Sequence, residues 1–343
     1  MRTLGQLFAA VCAVLFVVST VLVLLLFNIE RKAFSSDTYK QAFEDQHLYE
    51  RMPAILANTL ITYMAESGIS MPFLQFLTVE DWQNNIATLL PPEELKAMSN
   101  NALDATFDYL NGRSNSAVIS LVPIKTQLAG EPGVQLVLQI LRRQPACTPE
   151  QLTQMALGLF GGQIALCNPP EQAIGLMMPF IQSQLQTITA LFPNEVTLIS
   201  SAAPGTPQDP RVRLNAVRSG IKLTLFLPVL FLFGIAVFAV RSLRDLFAWW
   251  GWPFLFAGGI SVIVALLGAP LIGGILRFVI QTQGSFFIPP ALAAALGETA
   301  SAVARQMLIP VIVQGLIVTA VGVGMLAVAI LVPRKPADQI IYE

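Results

Sequence analysis

Charge is what this sequence has least of. Asp, Glu, Lys and Arg make up 12% of its 343 residues, against about a quarter in soluble domains. A net charge of −1 leaves no basic surface for neutralising phosphates, so nucleic-acid binding is not expected. Histidine occurs once, at His47, and cysteine three times, at Cys12, Cys147 and Cys167. One imidazole cannot build a multi-histidine metal centre, and no cysteine pair has zinc-finger spacing around it, so no metal or cofactor is expected.

Apolar residues fill the space that charge leaves, at 54% of the chain. They gather in four runs, 7–27, 221–240, 253–276 and 309–332. Each is long enough to cross a hydrocarbon layer roughly 30 Å thick as a helix. The first run exceeds a signal-peptide core and no cleavage site follows it, so it reads as an anchor. Pro228, Pro270 and Pro310 should bend or start helices. The span interiors hold no ionisable residue, which argues against ion-coupled transport. Gly258, Gly259, Gly268, Ala320 and Gly324 favour close helix packing instead.

The expected fold is therefore mainly α and integral to the membrane. It has four transmembrane helices, with a large, mostly helical extracytoplasmic domain inserted between the first and second. The divisions are an anchor at 1–27, the extracytoplasmic domain at 28–219, a three-helix membrane region at 220–333 and a tail at 334–343. Within the membrane region, 277–308 is a second extracytoplasmic segment, with a helix after Pro290. Four spans put both termini on one side. Arg2, Arg241, Arg244, Arg334 and Lys335 mark that side as cytoplasmic by the excess of cations in short loops. Residues 28–219 then face an oxidising compartment, the setting in which a Cys147–Cys167 bridge persists.

Local signals inside 28–219 are mostly helical. Ser35 or Ser36, Pro53, Thr78 with Asp81, Pro91, Thr148 with Gln151, and Asn168-Pro169-Pro170 all read as helix starts. Gly68, Gly112 and Gly161-Gly162 read as stops. Only 117–122 and 195–200 are strand-like, and they are expected to pair into one small element. Residues 203–215 form a linker rich in proline.

Signals for catalysis are few. Ser219 and Lys222 match S-x-x-K, but neither companion motif of serine–lysine hydrolases is present, and a lysine at a span's edge reaches for headgroups. Glu80/Asp81 and Glu93/Glu94 fall in first turns, where the helix dipole favours acids. The G-x-G-x-x-A match from Gly322 to Ala327 lies inside a span, without the strand and turn that dinucleotide binding needs. The stretch 241–252, with Arg241, Arg244, Trp249 and Trp250, reads as a cytoplasmic loop able to dock a partner.

The layout of one span, a large outer domain and three further spans, together with 241–252, resembles the mechanotransmission permeases of ABC systems. The resemblance implies a separate cytoplasmic ATPase as partner. It is limited to topology, since the outer domain reads as more helical and only a few residues precede the first span. The leading expectation is a non-enzymatic protein of the plasma membrane. Its partners are the lipid bilayer and another protein of the cell envelope.

Overall fold

The computed structural model describes residues 2–67, 77–158, 167–200, 209–283 and 290–332. The readings at Gly68, Gly161-Gly162, 203–208 and 334–343 fall outside these residues. The described chain is mainly helical and divides into two compact units. One comprises 1–38, 203–276 and 299–343; the other comprises 39–202 and 277–298.

The first unit holds four helices long and apolar enough to cross a membrane. Helix α1 runs Arg2–Ala33. The second candidate span is built from two segments, α10 (Pro210–Thr224) and α11 (Phe226–Ala239). Pro228 accounts for the joint at Leu225, because its ring nitrogen cannot donate to the carbonyl four residues back, that of Thr224. Helix α10 begins inside what the sequence suggested was linker. Asp209 caps it by accepting from the Arg211 N–H at 3.0 Å, and Pro210 opens its first turn. The last two spans are longer than their apolar runs: α12 covers Leu243–Gln283 and α13 covers Pro290–Leu331. Pro253, Pro270 and Pro310 all lie inside these helices rather than at their ends.

The expected loop 241–252 is corrected by this arrangement, since only Val240, Arg241 and Ser242 separate α11 from α12. Ser242 starts the helix early. Its hydroxyl accepts from the Asp245 N–H at 3.1 Å and its carbonyl from the Leu246 N–H at 3.0 Å.

Helices α12 and α13 approach each other, antiparallel, along buried glycines. A Cβ placed on Gly258 would lie 2.3 Å from Thr319 Oγ1 and 2.5 Å from the Gly315 carbonyl. One on Gly322 would lie 2.5 Å from the Leu255 nitrogen and 2.9 Å from the Gly251 carbonyl. Gly251 and Gly258 on one helix, with Gly315 and Gly322 on the other, thus form a seam spaced by sevens. Gly259 and Gly324, also expected to serve packing, have open space around them. Helix α1 packs antiparallel to α11, with Gly234 of α11 tight against Cys12, and reaches the other two helices as well. Phe16 is buried with Ile235 and Ala257, while Leu24 and Leu25 meet Ala265, Leu308 and Val311.

Polar ties also join helices of this unit. The buried Asn28 amide donates to Gln314 Oε1 at 2.7 Å and to the Leu24 carbonyl at 2.7 Å. Arg218 donates from Nε to the buried Glu30 carboxylate at 2.6 Å and lies over the Phe34 ring.

The second unit contains α2 (Ser36–Asp45), which starts at the end of the first, then α3 (Leu48–Ser67), α4 (Val79–Leu89), α5 (Pro92–Leu110), α6 (Val122–Ala129), α7 (Glu131–Arg142), α8 (Pro149–Gly158) and α9 (Glu171–Leu191). Its strands β1 (Ser116–Ser120) and β2 (Glu195–Ser200) pair antiparallel, with Ser116 opposite Ser200 and an irregularity between Ala117 and Val118. The first strand ends sooner than 117–122 suggested because Val122-Pro123 already opens α6. Pro53, expected to start a helix, sits within α3. The first turns of α13 belong here: Ala295 and Leu292 pack on Leu48, Ile55 and Met52, and Glu298 accepts from Arg51 at 2.8 Å.

A single stripe organises the centre of this unit. Val134, Leu138 and Leu141 of α7 lie at helical spacing and bury against Ile174, Met177, Ile181 and Leu185 of α9. Cys167 is buried in the same cluster and Cys147 packs against it. Their Cα atoms are 4.9 Å apart and their sulfurs lie at bonding distance, a placement compatible with the expected bridge. Thr148 and Gln151 form the anticipated capping box at α8.

Two outcomes test this packing by thermal unfolding of the detergent-solubilised protein. Gly258→Ala is expected to destabilise it by about 1–3 kcal/mol through the Thr319 and Gly315 clashes. Gly259→Ala, on the same helix with open space, should be neutral or stabilise by up to ~1 kcal/mol. Equal effects from both would refute the seam. Removing both Cys147 and Cys167 is expected to cost about 3 kcal/mol, the chain-entropy value for a loop of roughly 20 residues. Unchanged stability in the double variant would refute a closed bridge.

Candidate functional site

A polar concavity lies in the second unit, between α4 and α7. It measures about 300 Å³ and is lined by Leu77, Asp81, Asn84, Asn85, Gln139, Arg142 and Arg143. Local sequence explains both walls. Burial of Val134, Leu138 and Leu141 against α9 turns Gln139 and Arg143 away from that core, while Arg142, four residues after Leu138, is exposed at the core's edge at the helix end. The two arginines also end that helix, where its dipole favours cations.

The α4 wall is fixed by its cap. Asp81 Oδ2 accepts from the Thr78 N–H at 2.9 Å and from its hydroxyl at 2.8 Å, while the Asp81 N–H donates to Thr78 Oγ1 at 3.1 Å. Arg143 Nη2 donates to the other carboxylate oxygen, Oδ1. The bond from the Thr78 backbone lowers the Asp81 pKa against the opposing effect of desolvation, and the Thr78 hydroxyl and Arg143 add to the lowering. Asp81 is thus ionised and committed to structure. Arg142 is exposed and forms no ion pair among the described residues.

Asn85 is the unusual member. It is 2% exposed, and neither its amide nitrogen nor its amide oxygen has a hydrogen-bond partner among the described residues. An orphaned buried polar group costs about 1–3 kcal/mol, so an amide left in this state calls for a partner from elsewhere. The cleft offers donors, acceptors and one uncommitted guanidinium. Such a lining suits recognition of a polar ligand. Among the described residues no group of three or more His, Cys, Asp or Glu could hold a metal ion.

The residues singled out from sequence are dispersed. Arg241 is exposed in the break before α12, and Arg244 is half-buried in that helix's first turn. Trp249 and Trp250 are half-buried and pack against the Phe16, Ile235 and Ala257 cluster, so they are parts of the helix packing before they are a docking surface. The Trp250 indole N–H is buried without a partner among the described residues. Cys147 and Cys167 are brought together. Ser219 and Lys222 lie exposed on α10 and no hydrogen bond joins them. His47 occupies a left-handed turn between α2 and α3, with φ of 48°, and its imidazole lies 3.8 Å from the exposed Glu50 carboxylate. Asn85 was not anticipated. Its one signal is placement three residues after Trp82 and four before Leu89, on the half-buried face of α4.

The capping carboxylate gives a pH-dependent expectation. The folded-state pKa of Asp81 is below its unfolded value, so its contribution is complete above about pH 4 and disappears as pH falls through the folded value. Asp81→Ala should lower stability by about 1 kcal/mol at pH 7. The gap between variant and parent should close in acid; denaturant titrations at both pH values measure it, and a gap that widens in acid would contradict this role.

Comparison with known protein families, with curated proteins and with solved structures finds no match to this chain, so the residues of the cleft take their reading from chemistry alone.

Proposed function

We propose that this is a non-enzymatic, multi-pass protein of the plasma membrane. In this reading both termini are cytoplasmic and residues 28–219 form an extracytoplasmic domain that binds another component of the cell envelope. The observation that carries the reading is the cleft between α4 and α7, where, among the described residues, the buried Asn85 amide has no hydrogen-bond partner and Arg142 forms no ion pair. Two further features support it. The four long apolar helices suit a membrane setting, and the close approach of Cys147 and Cys167 suits an oxidising compartment.

Display is the mechanism. The spans hold the domain at the membrane, and the cysteine pair ties the start of α8 to the segment entering α9, beside the α7–α9 core. The ligand's polar groups would complete the hydrogen bonding of Asn85 and meet the Arg142 cation. Affinity would come from ending an existing penalty rather than from adding a new contact.

Site-specific photocrosslinking in native membranes tests this. A photoreactive residue at Gln139 is expected to capture an envelope component, and Asn85→Leu should reduce the yield at least fivefold while leaving the melting temperature unchanged or raised. Capture unaffected by Asn85→Leu would remove the cleft from the reading. A probe at Arg244 that captures a cytoplasmic ATPase would replace it with the permease reading. Membrane-impermeant maleimide, added outside intact cells, should label Cys147 and Cys167 only after reduction. Labelling only after the membrane is permeabilised would reverse the proposed sidedness.

A further inference from the structure

A second concavity lies in the unit of the four long helices and has the opposite character. It measures about 390 Å³, is almost wholly apolar, and runs between α1 and α12. These helices are parallel neighbours: the Phe16 and Phe254 rings are 5.0 Å apart, and further along Leu24 and Leu25 pack near Ala265. Ala10, Ala13 and Val14 form the floor because their side chains are too short to fill the space between the helices. Trp249, Trp252 and Phe256 form the wall, with the last two stacked at 5.7 Å.

The end of the groove carries charge. Arg244, Ala248, Trp252 and Phe256 recur every fourth residue and therefore share one face of α12. Arg244 lies one turn beyond Ala248, about 6 Å along the axis past the groove's lining. Arg241 is exposed three residues earlier. Neither arginine forms an ion pair among the described residues. The neighbouring carboxylate, Asp245, points about 100° away around the helix from Arg244.

We infer that this groove is a selective site for an anionic phospholipid, with one acyl chain along Ala10, Ala13 and Trp252 and its phosphate at Arg244 and Arg241. An apolar groove with uncommitted cations at one end suits a single chain carrying an anionic headgroup better than the apolar face of a partner helix. An acyl chain is thin enough to enter. A cation at the headgroup level distinguishes anionic from zwitterionic lipid, by about fivefold for each Arg near the surface. The inference rests on the membrane reading but not on the extracytoplasmic cleft.

Quenching of tryptophan fluorescence by dibrominated phospholipids tests it on the full chain reconstituted in vesicles. Brominated phosphatidylglycerol, titrated into a phosphatidylcholine background, should quench at a lower mole fraction than brominated phosphatidylcholine, by at least fivefold. Arg244→Gln with Arg241→Gln should abolish the preference while leaving quenching by phosphatidylcholine intact. Lys222→Gln, on α10 and outside the groove, should preserve it. Ala10→Phe, which fills the groove floor at an exposed position, should weaken quenching by both lipids. Equal quenching by both lipids in the parent protein, or a preference that survives loss of both arginines, would overturn the site. Protein released by alkaline carbonate and quenched by neither lipid would overturn the membrane reading itself.

Discussion

The four long helices have few polar groups with which to hold one another, so their association depends on how closely two backbones can approach. The seam of Gly251, Gly258, Gly315 and Gly322 supplies that approach. In lipid, apolar side chains gain little by leaving one hydrocarbon environment for another, and dense contact between backbones becomes the main source of attraction. Once α12 and α13 are joined at this distance, α1 can touch both. Phe16 meets Ala257 at one level and Leu24 meets Ala265 and Val311 at another. The same geometry leaves the small side chains of α1 opposite Trp249 and Trp252 with space between them.

The second unit separates apolar from polar side chains around one helix. Its central helix α7 has two distinct sides, one closing a core with α9 and the other supplying polar side chains to the cleft. Those roles are coupled by the helix itself: a shift that disturbed Leu138 or Leu141 would also move Gln139 and Arg142. The cysteine pair lies on the core side, at Cys167, while Arg143 and Asp81 fasten the cleft side to the start of α4. The orphaned Asn85 is therefore held between two independently anchored walls.

Much of this architecture was legible in the sequence where a residue's effect is local. The four apolar runs, the strand at 195–200, and the capping boxes at Thr78 and Thr148 depend on near neighbours, and the structure contains them. The stretch 241–252 is helical where its arginines and tryptophans suggest a loop, because Ser242 and Asp245 begin a helix there. The productive glycines were harder still. Gly258 and Gly259 are equivalent in composition and differ only in which one faces α13. Asn85 was hidden for a similar reason, since its lack of a partner is a property of surrounding helices and not of its own segment.

The buried link between Asn28 and Gln314 joins residues separated by 286 positions. At synthesis rates of about 5–20 residues per second, roughly 15–60 s pass between the two leaving the ribosome's catalytic centre. Throughout that interval α1 exists without the side chain that completes its far end. Asn28 can meanwhile share only its own helix, through the Leu24 carbonyl. The first helix made is thus among the last to be finished, and its settled position is a record of the chain having been completed.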